Sequence, residues 1–96
     1  MKKDAFNMYT DRVCRIFGID RDQLFKKSKV QDIVDARHLL YYLCYNRPMT
    51  IKNIQNFLKE NGYDVYHQTV IYGIDSVKKK VESDVDYSSR IAKLSN

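Results

Sequence analysis

The chain has 96 residues, 44% of them apolar and 30% charged, with a formal net charge of +5. That is material for one domain with a small core. Its longest apolar run, Leu39-Leu40-Tyr41-Tyr42-Leu43-Cys44-Tyr45, falls far short of the ~20 residues of a membrane span. Met1-Lys2-Lys3 turns polar at once, at Asp4, Asn7, Thr10 and Asp11, so no signal peptide is expected and the default location is cytoplasmic, away from any membrane.

Gly18, Gly62, Gly73 and Pro48 are the whole glycine and proline complement, and β-branched residues never alternate for long, which favours helices joined by short turns. Phe6, Tyr9, Val13 and Phe17 form one apolar stripe and predict a helix over 5–17, stopped by Gly18. Asp20 reads as the N-cap of a short helix over 21–25. Lys26-Lys27-Ser28-Lys29 then forms a basic loop. A long helix over 30–46 is predicted to bury Ile33, Ala36, Leu40 and Leu43, with Cys14 and Cys44 as buried reduced thiols. Pro48 breaks the chain and Thr50 caps a helix near 51–61, whose apolar face is Ile51, Ile54, Phe57 and Leu58.

Tyr63-Asp64-Val65 makes the next turn, and a helix over 66–83 carries Val70, Ile74, Val77 and Val81 toward the core. Asp84 or Asp86 caps a last helix holding Ile91 and Leu94. The expected fold is all-α: a compact bundle of about six helices over 1–96, with a helix-turn-helix at 50–83. In that motif the second helix enters the major groove, and its first residues reach base edges. Tyr66, His67 and Thr69 lie in its first turn, while Gln68, Tyr72 and Lys79 point away from the core stripe. Two packed helices joined by a loop would give the same pattern.

The charge is unevenly placed. The stretch 21–59 holds eight basic residues against three acidic ones and so carries the whole net charge, which favours a polyanionic partner. Two isolated cysteines give no metal spacing, and no GxxxxGK[ST] phosphate loop is present, so neither metal, cofactor nor enzymatic activity is expected. His38 and His67, near Asp32, Asp35 and Asp64, read as surface residues rather than an acid–base site. Tyr9, Tyr42 and Tyr45 fall where core or half-buried rings are expected, and Lys78-Lys79-Lys80 reads as a solvated face.

The series Phe17-Gly18-Ile19, Leu24-Phe25-Lys26-Lys27-Ser28-Lys29, Asp32-Ile33-Val34-Asp35-Ala36-Arg37, Tyr42-Leu43 and Val65-Tyr66-His67-Gln68-Thr69-Val70 resembles the C-terminal DNA-binding domain of the bacterial replication initiator DnaA. The family pattern runs F-G-I, L-L-S-K-x-R-x-R-x-I-V-x-A-R-Q, M-Y-L and R-D-H-T-T-V, and the likeness spans about residues 5–95. The resemblance implies double-stranded DNA as partner. It makes Lys27, Lys29 and Arg37 candidates for backbone or minor-groove contact; Lys52 is a further candidate of the same kind. His67, Gln68 and Thr69, with Tyr66, become candidates for base contact. It also implies a role in replication or its regulation, with the host initiator as a second partner and a phage or mobile element as a setting.

Departures from the pattern bear on which site is read. Lysine and an amide, Lys29 and Gln31, stand where the family has arginines, and a lysine lacks the arginine fork. Val65-Tyr66 replaces Arg-Asp, removing a guanine-type donor and a cytosine-type acceptor. Asn61-Gly62-Tyr63-Asp64 lengthens the turn. These changes leave open the alternative of a protein-interaction module whose basic face docks an acidic partner, an initiator or a virion component.

Overall fold

The computed structural model describes residues 1–94, and they form six α-helices. In chain order these are α1 Lys2–Phe17, α2 Arg21–Leu24, α3 Gln31–Asn46, α4 Ile51–Glu60, α5 His67–Ser83 and α6 Val85–Leu94. Among the described residues there is no strand, and no helix is long and apolar enough to cross a membrane. The all-α expectation holds.

Local chemistry sets the helix ends. Gly18 ends α1 with φ 64°, a left-handed conformation open to glycine at little cost, and the next N–H, of Ile19, returns to Cys14 O at 3.0 Å. Asp20 and Gln23 close a capping box on α2, and Thr50 and Asn53 close another on α4. Of the two aspartates considered for α6, Asp84 does the capping, its Oδ1 accepting from Tyr87 N at 3.1 Å. α1 starts earlier than its apolar stripe because the stripe marks only the buried face. Its exposed first turn is tied to α4 instead, by Lys2 on Asn53 at 3.2 Å and Lys3 on Glu60 at 3.2 Å.

α3 is the central helix, packed on α1 along one side and on α5 along the other, so it buries residues around most of its circumference. Ala36, Leu39, Leu40, Tyr41, Leu43 and Cys44 all lie inside it. They meet Phe6, Tyr9 and Val13 of α1, Ile54 and Leu58 of α4, and Val70, Ile74 and Val77 of α5 in one core. Two expectations shift. Ile33 is only half-buried, because the first turn of α3 stands beside the exposed loop 26–30, and Tyr45 is exposed at the far end of the same helix. Tyr9 is buried and Tyr42 half-buried.

The α3–α5 contact is unusually close at Gly73. A Cβ there would lie 2.7 Å from Tyr41 Cδ2 and 2.8 Å from His38 Cδ2, so the absence of a side chain is what lets the two helices approach. Both cysteines are free and buried, and burial pushes the Cys44 thiol up to about 12.

Candidate nucleic-acid interface

α4 and α5 form the helix-turn-helix. Gly62, at φ 82°, lets the chain reverse after α4: its N–H bonds Lys59 O at 2.9 Å, and Tyr63 N–H bonds Leu58 O at 3.0 Å. That reversal turns the Tyr63 ring inward, leaving it 9% exposed. Gln55 of α4 then holds the end of the turn, its Nε2 donating to Val65 O at 3.0 Å. Tyr66, predicted as the first helical residue, is instead the extended N-cap, and its side chain makes no capping bond. The N-terminus of α5 is therefore left without the side-chain acceptor that Asp20, Thr50 and Asp84 give to α2, α4 and α6.

All four candidates for base contact are exposed, Tyr66 most of all at 81%. They do not face one way. Tyr66 and Thr69 line a cleft shared with Lys27, Ser28, Lys29, Arg37 and Tyr63. His67 lines a second cleft with Lys52, Gln55, Asn56 and Lys59 of α4. Gln68 lines neither cleft and is exposed in the first turn of α5. Asp64 borders both clefts. The start of α5 is thus a ridge with a lysine pair on each flank. The ion pairs among the described residues lie elsewhere, Lys3–Glu60, Arg21–Asp11 and Lys80–Asp35.

Lys59 was not singled out from the sequence. Its signal was there: residues 52, 55, 56 and 59 follow the i, i+3, i+4, i+7 spacing of a single helix face, opposite the apolar face of α4.

Arg37 stands differently from the lysines. It is 6% exposed, and its guanidinium is taken up by backbone. Nη1 donates to Leu24 O at 3.1 Å and to Lys26 O at 2.8 Å, and Nη2 donates to Ser28 O at 3.1 Å. Its guanidinium carbon lies over the Tyr63 ring, 4.8 Å from the centroid.

The two histidines are far from a shared site. His67 lies at the exposed start of α5, while His38 is half-buried between α3 and α5. Its ring stands 6.2 Å from that of Tyr41 and edge-on to Tyr72 at 5.8 Å. Burial is the largest cause of its lowered pKa; Asp35 opposes the shift, and Arg37 and Lys80 add to it.

A family model described as the bacterial dnaA protein helix-turn-helix matches residues 9–77. The chromosomal replication initiator protein DnaA of Synechococcus sp. is 31% identical over 94 residues, covering 97% of this chain and 19% of the relative. The protein of the same name from Limosilactobacillus fermentum is 29% identical over 93 residues, covering 96% and 20%. That of Leptospira biflexa is 28% identical over 81 residues, covering 84% and 18%. The chain thus spans about a fifth of the length of these curated relatives. No solved structure gives a significant match. Because the matched residues run from the middle of α1 through the basic loop and α4 to residue 77, within α5, and so take in the turn and the exposed start of α5, the chain belongs to the bacterial DnaA helix-turn-helix family.

Proposed function

We propose that this domain binds double-stranded DNA with a sequence preference, setting the start of α5 into the major groove, and that it does so without hydrolysing ATP. The observation that carries the reading is the exposed ridge of Tyr66, His67, Gln68 and Thr69 between two lysine-bearing clefts. A major groove is about 12 Å wide and walled by two phosphate backbones, so a helix end inserted there needs positive charge on both sides. Lys27 and Lys29 supply it on one side, Lys52 and Lys59 on the other. Uncapped N–H groups at the helix end suit a phosphate as well. Membership of the DnaA family supports a role in replication initiation or its regulation, with the replication initiator as a further partner through shared sites on DNA.

Gln68 is the first candidate for reading a base, since an amide pairs bidentately with adenine and this one stands clear of both clefts. The test is site selection from random duplexes, followed by fluorescence anisotropy on the selected duplex. With about five phosphates neutralised, log K falls against log salt with a slope near −4 to −5. Lys27→Ala or Lys29→Ala weakens binding to all duplexes alike, whereas Gln68→Ala costs roughly 1–3 kcal/mol more on the preferred site than on random DNA. No binding to any duplex at ~50 mM salt rejects the reading. A folded Gln68→Ala/Thr69→Ala protein with unchanged affinity and preference removes α5 from the groove and favours an acidic protein partner.

A further inference from the structure

A guanidinium stays charged when buried, so its surroundings must supply acceptors. For Arg37 they come from one short segment: the carbonyls of Leu24, Lys26 and Ser28 bend around its fork at 2.8–3.1 Å. No carboxylate is among these acceptors. The gripped residues alternate with Lys27 and Lys29, both exposed and both lining the cleft beside Tyr66 and Thr69. The other side of the same guanidinium lies on Tyr63, in the turn that sets the start of α5. One buried side chain on α3 therefore touches both the basic loop and the turn of the helix-turn-helix.

We propose that Arg37 and Tyr63 form a latch holding the basic loop in register with the start of α5, so that Arg37 serves DNA binding as a positioning residue acting through Lys27 and Lys29, not as a phosphate contact. The proposal rests on the DNA-binding reading above. A loop ordered in the free protein has already lost its backbone freedom, so its lysines meet phosphate without the further cost of ordering the loop. Arginine suits this position because its planar fork addresses several carbonyls at once, while its face stacks on a ring. The point charge of lysine does neither.

The experiment is a mutant cycle on the full chain, read by anisotropy on the selected duplex across a range of salt. If the latch works through both lysines, Arg37→Met shallows the salt slope by up to about 1.8 and lowers affinity by up to about 60-fold at ~0.1 M salt. In a Lys27→Ala/Lys29→Ala background the same change adds little, since the contacts it organises are already gone. Arg37→Lys keeps the charge and is expected to fail like Arg37→Met. Should Arg37→Lys bind like the unaltered protein, or Arg37→Met add its full loss to that of the lysine pair, the arginine touches phosphate itself and the latch is overturned.

A second measurement needs no DNA. In the free protein, backbone 15N relaxation is expected to show residues 26–29 gaining ps–ns mobility in Arg37→Met, while α5 stays rigid. An unchanged loop refutes the latch. If circular dichroism shows Arg37→Met unfolded, Tyr63→Leu, which loosens the other end, carries the same cycle and the same relaxation test. Failure of the unaltered protein to bind any duplex defeats the DNA-binding reading, and is distinguishable from a latch that fails in a protein that does bind.

Discussion

Replacing Gly73 by alanine sets two magnitudes against each other. On an isolated helix the change is favourable by about 1 kcal/mol, because glycine has more backbone freedom to lose. Here the added methyl would meet Tyr41 Cδ2 at 2.7 Å, His38 Cδ2 at 2.8 Å and His38 Cγ at 3.2 Å. Carbon atoms prefer about 3.5–4.0 Å. His38 is half-buried and able to swing partly aside, but the Tyr41 ring is 1% exposed and has no room to move. Relief must come from separating α3 and α5, the most extensive helix contact of the fold. Overpacking of this kind costs about 1–3 kcal/mol. The net expectation is destabilisation of about 1 kcal/mol, or a fall in Tm of roughly 4–8 °C for a domain of this size. Thermal melts followed at 222 nm measure it. His38→Ala, by removing one of the two clashing rings, should recover part of the loss, so the double mutant is less destabilised than the two single changes added together. A Gly73→Ala protein that melts at or above the temperature of the unaltered chain would show that propensity wins and that the helices are not held as close as described.

The pKa of His38 is lower in the folded protein than its ordinary 6.5, so the unfolded chain binds the proton more readily. Its contribution is neutral above about pH 6.5 and becomes destabilising as pH falls from there to the folded pKa. Urea midpoints at pH 7.5 and 5.5 should therefore differ less in His38→Gln than in the unaltered protein, and equal differences would contradict the assignment. Cys14 and Cys44 are buried with raised pKa values, so a thiol reagent at pH 8 should label neither quickly until guanidinium is added; rapid labelling of the native protein would count against their burial. Thr50→Ala removes the side-chain acceptor of Asn53 N–H at 3.1 Å and should cost about 1 kcal/mol in chemical denaturation, with Thr50→Ser near neutral.

Much of this architecture was legible in the linear order of residues, because helix ends are decided within a turn of chain. Gly18 with its left-handed φ, the boxes at Asp20 and Thr50 and the cap at Asp84 all close through bonds spanning five residues or fewer. The apolar stripes of α1, α4 and α5 likewise named most of the core residues that those three helices supply, since periodicity reports which face is covered. Periodicity does not report how far a neighbouring helix extends, and so Ile33 and Tyr45 proved more exposed than their positions in the pattern suggested.

What only the tertiary structure decided are the contacts between residues distant in the chain. Arg37 carries the same charge as the lysines around it in the sequence. Its burial follows from the loop folding back over α3 and from Gly62 turning Tyr63 inward beneath it. Gly73 sits within α5, and only the packing of α3 sets Tyr41 and His38 against it. Tyr66 and His67 are neighbours in sequence, yet they open onto different clefts, because successive residues on a helix end turn by about 100° while α3, α4 and the loop supply separate walls.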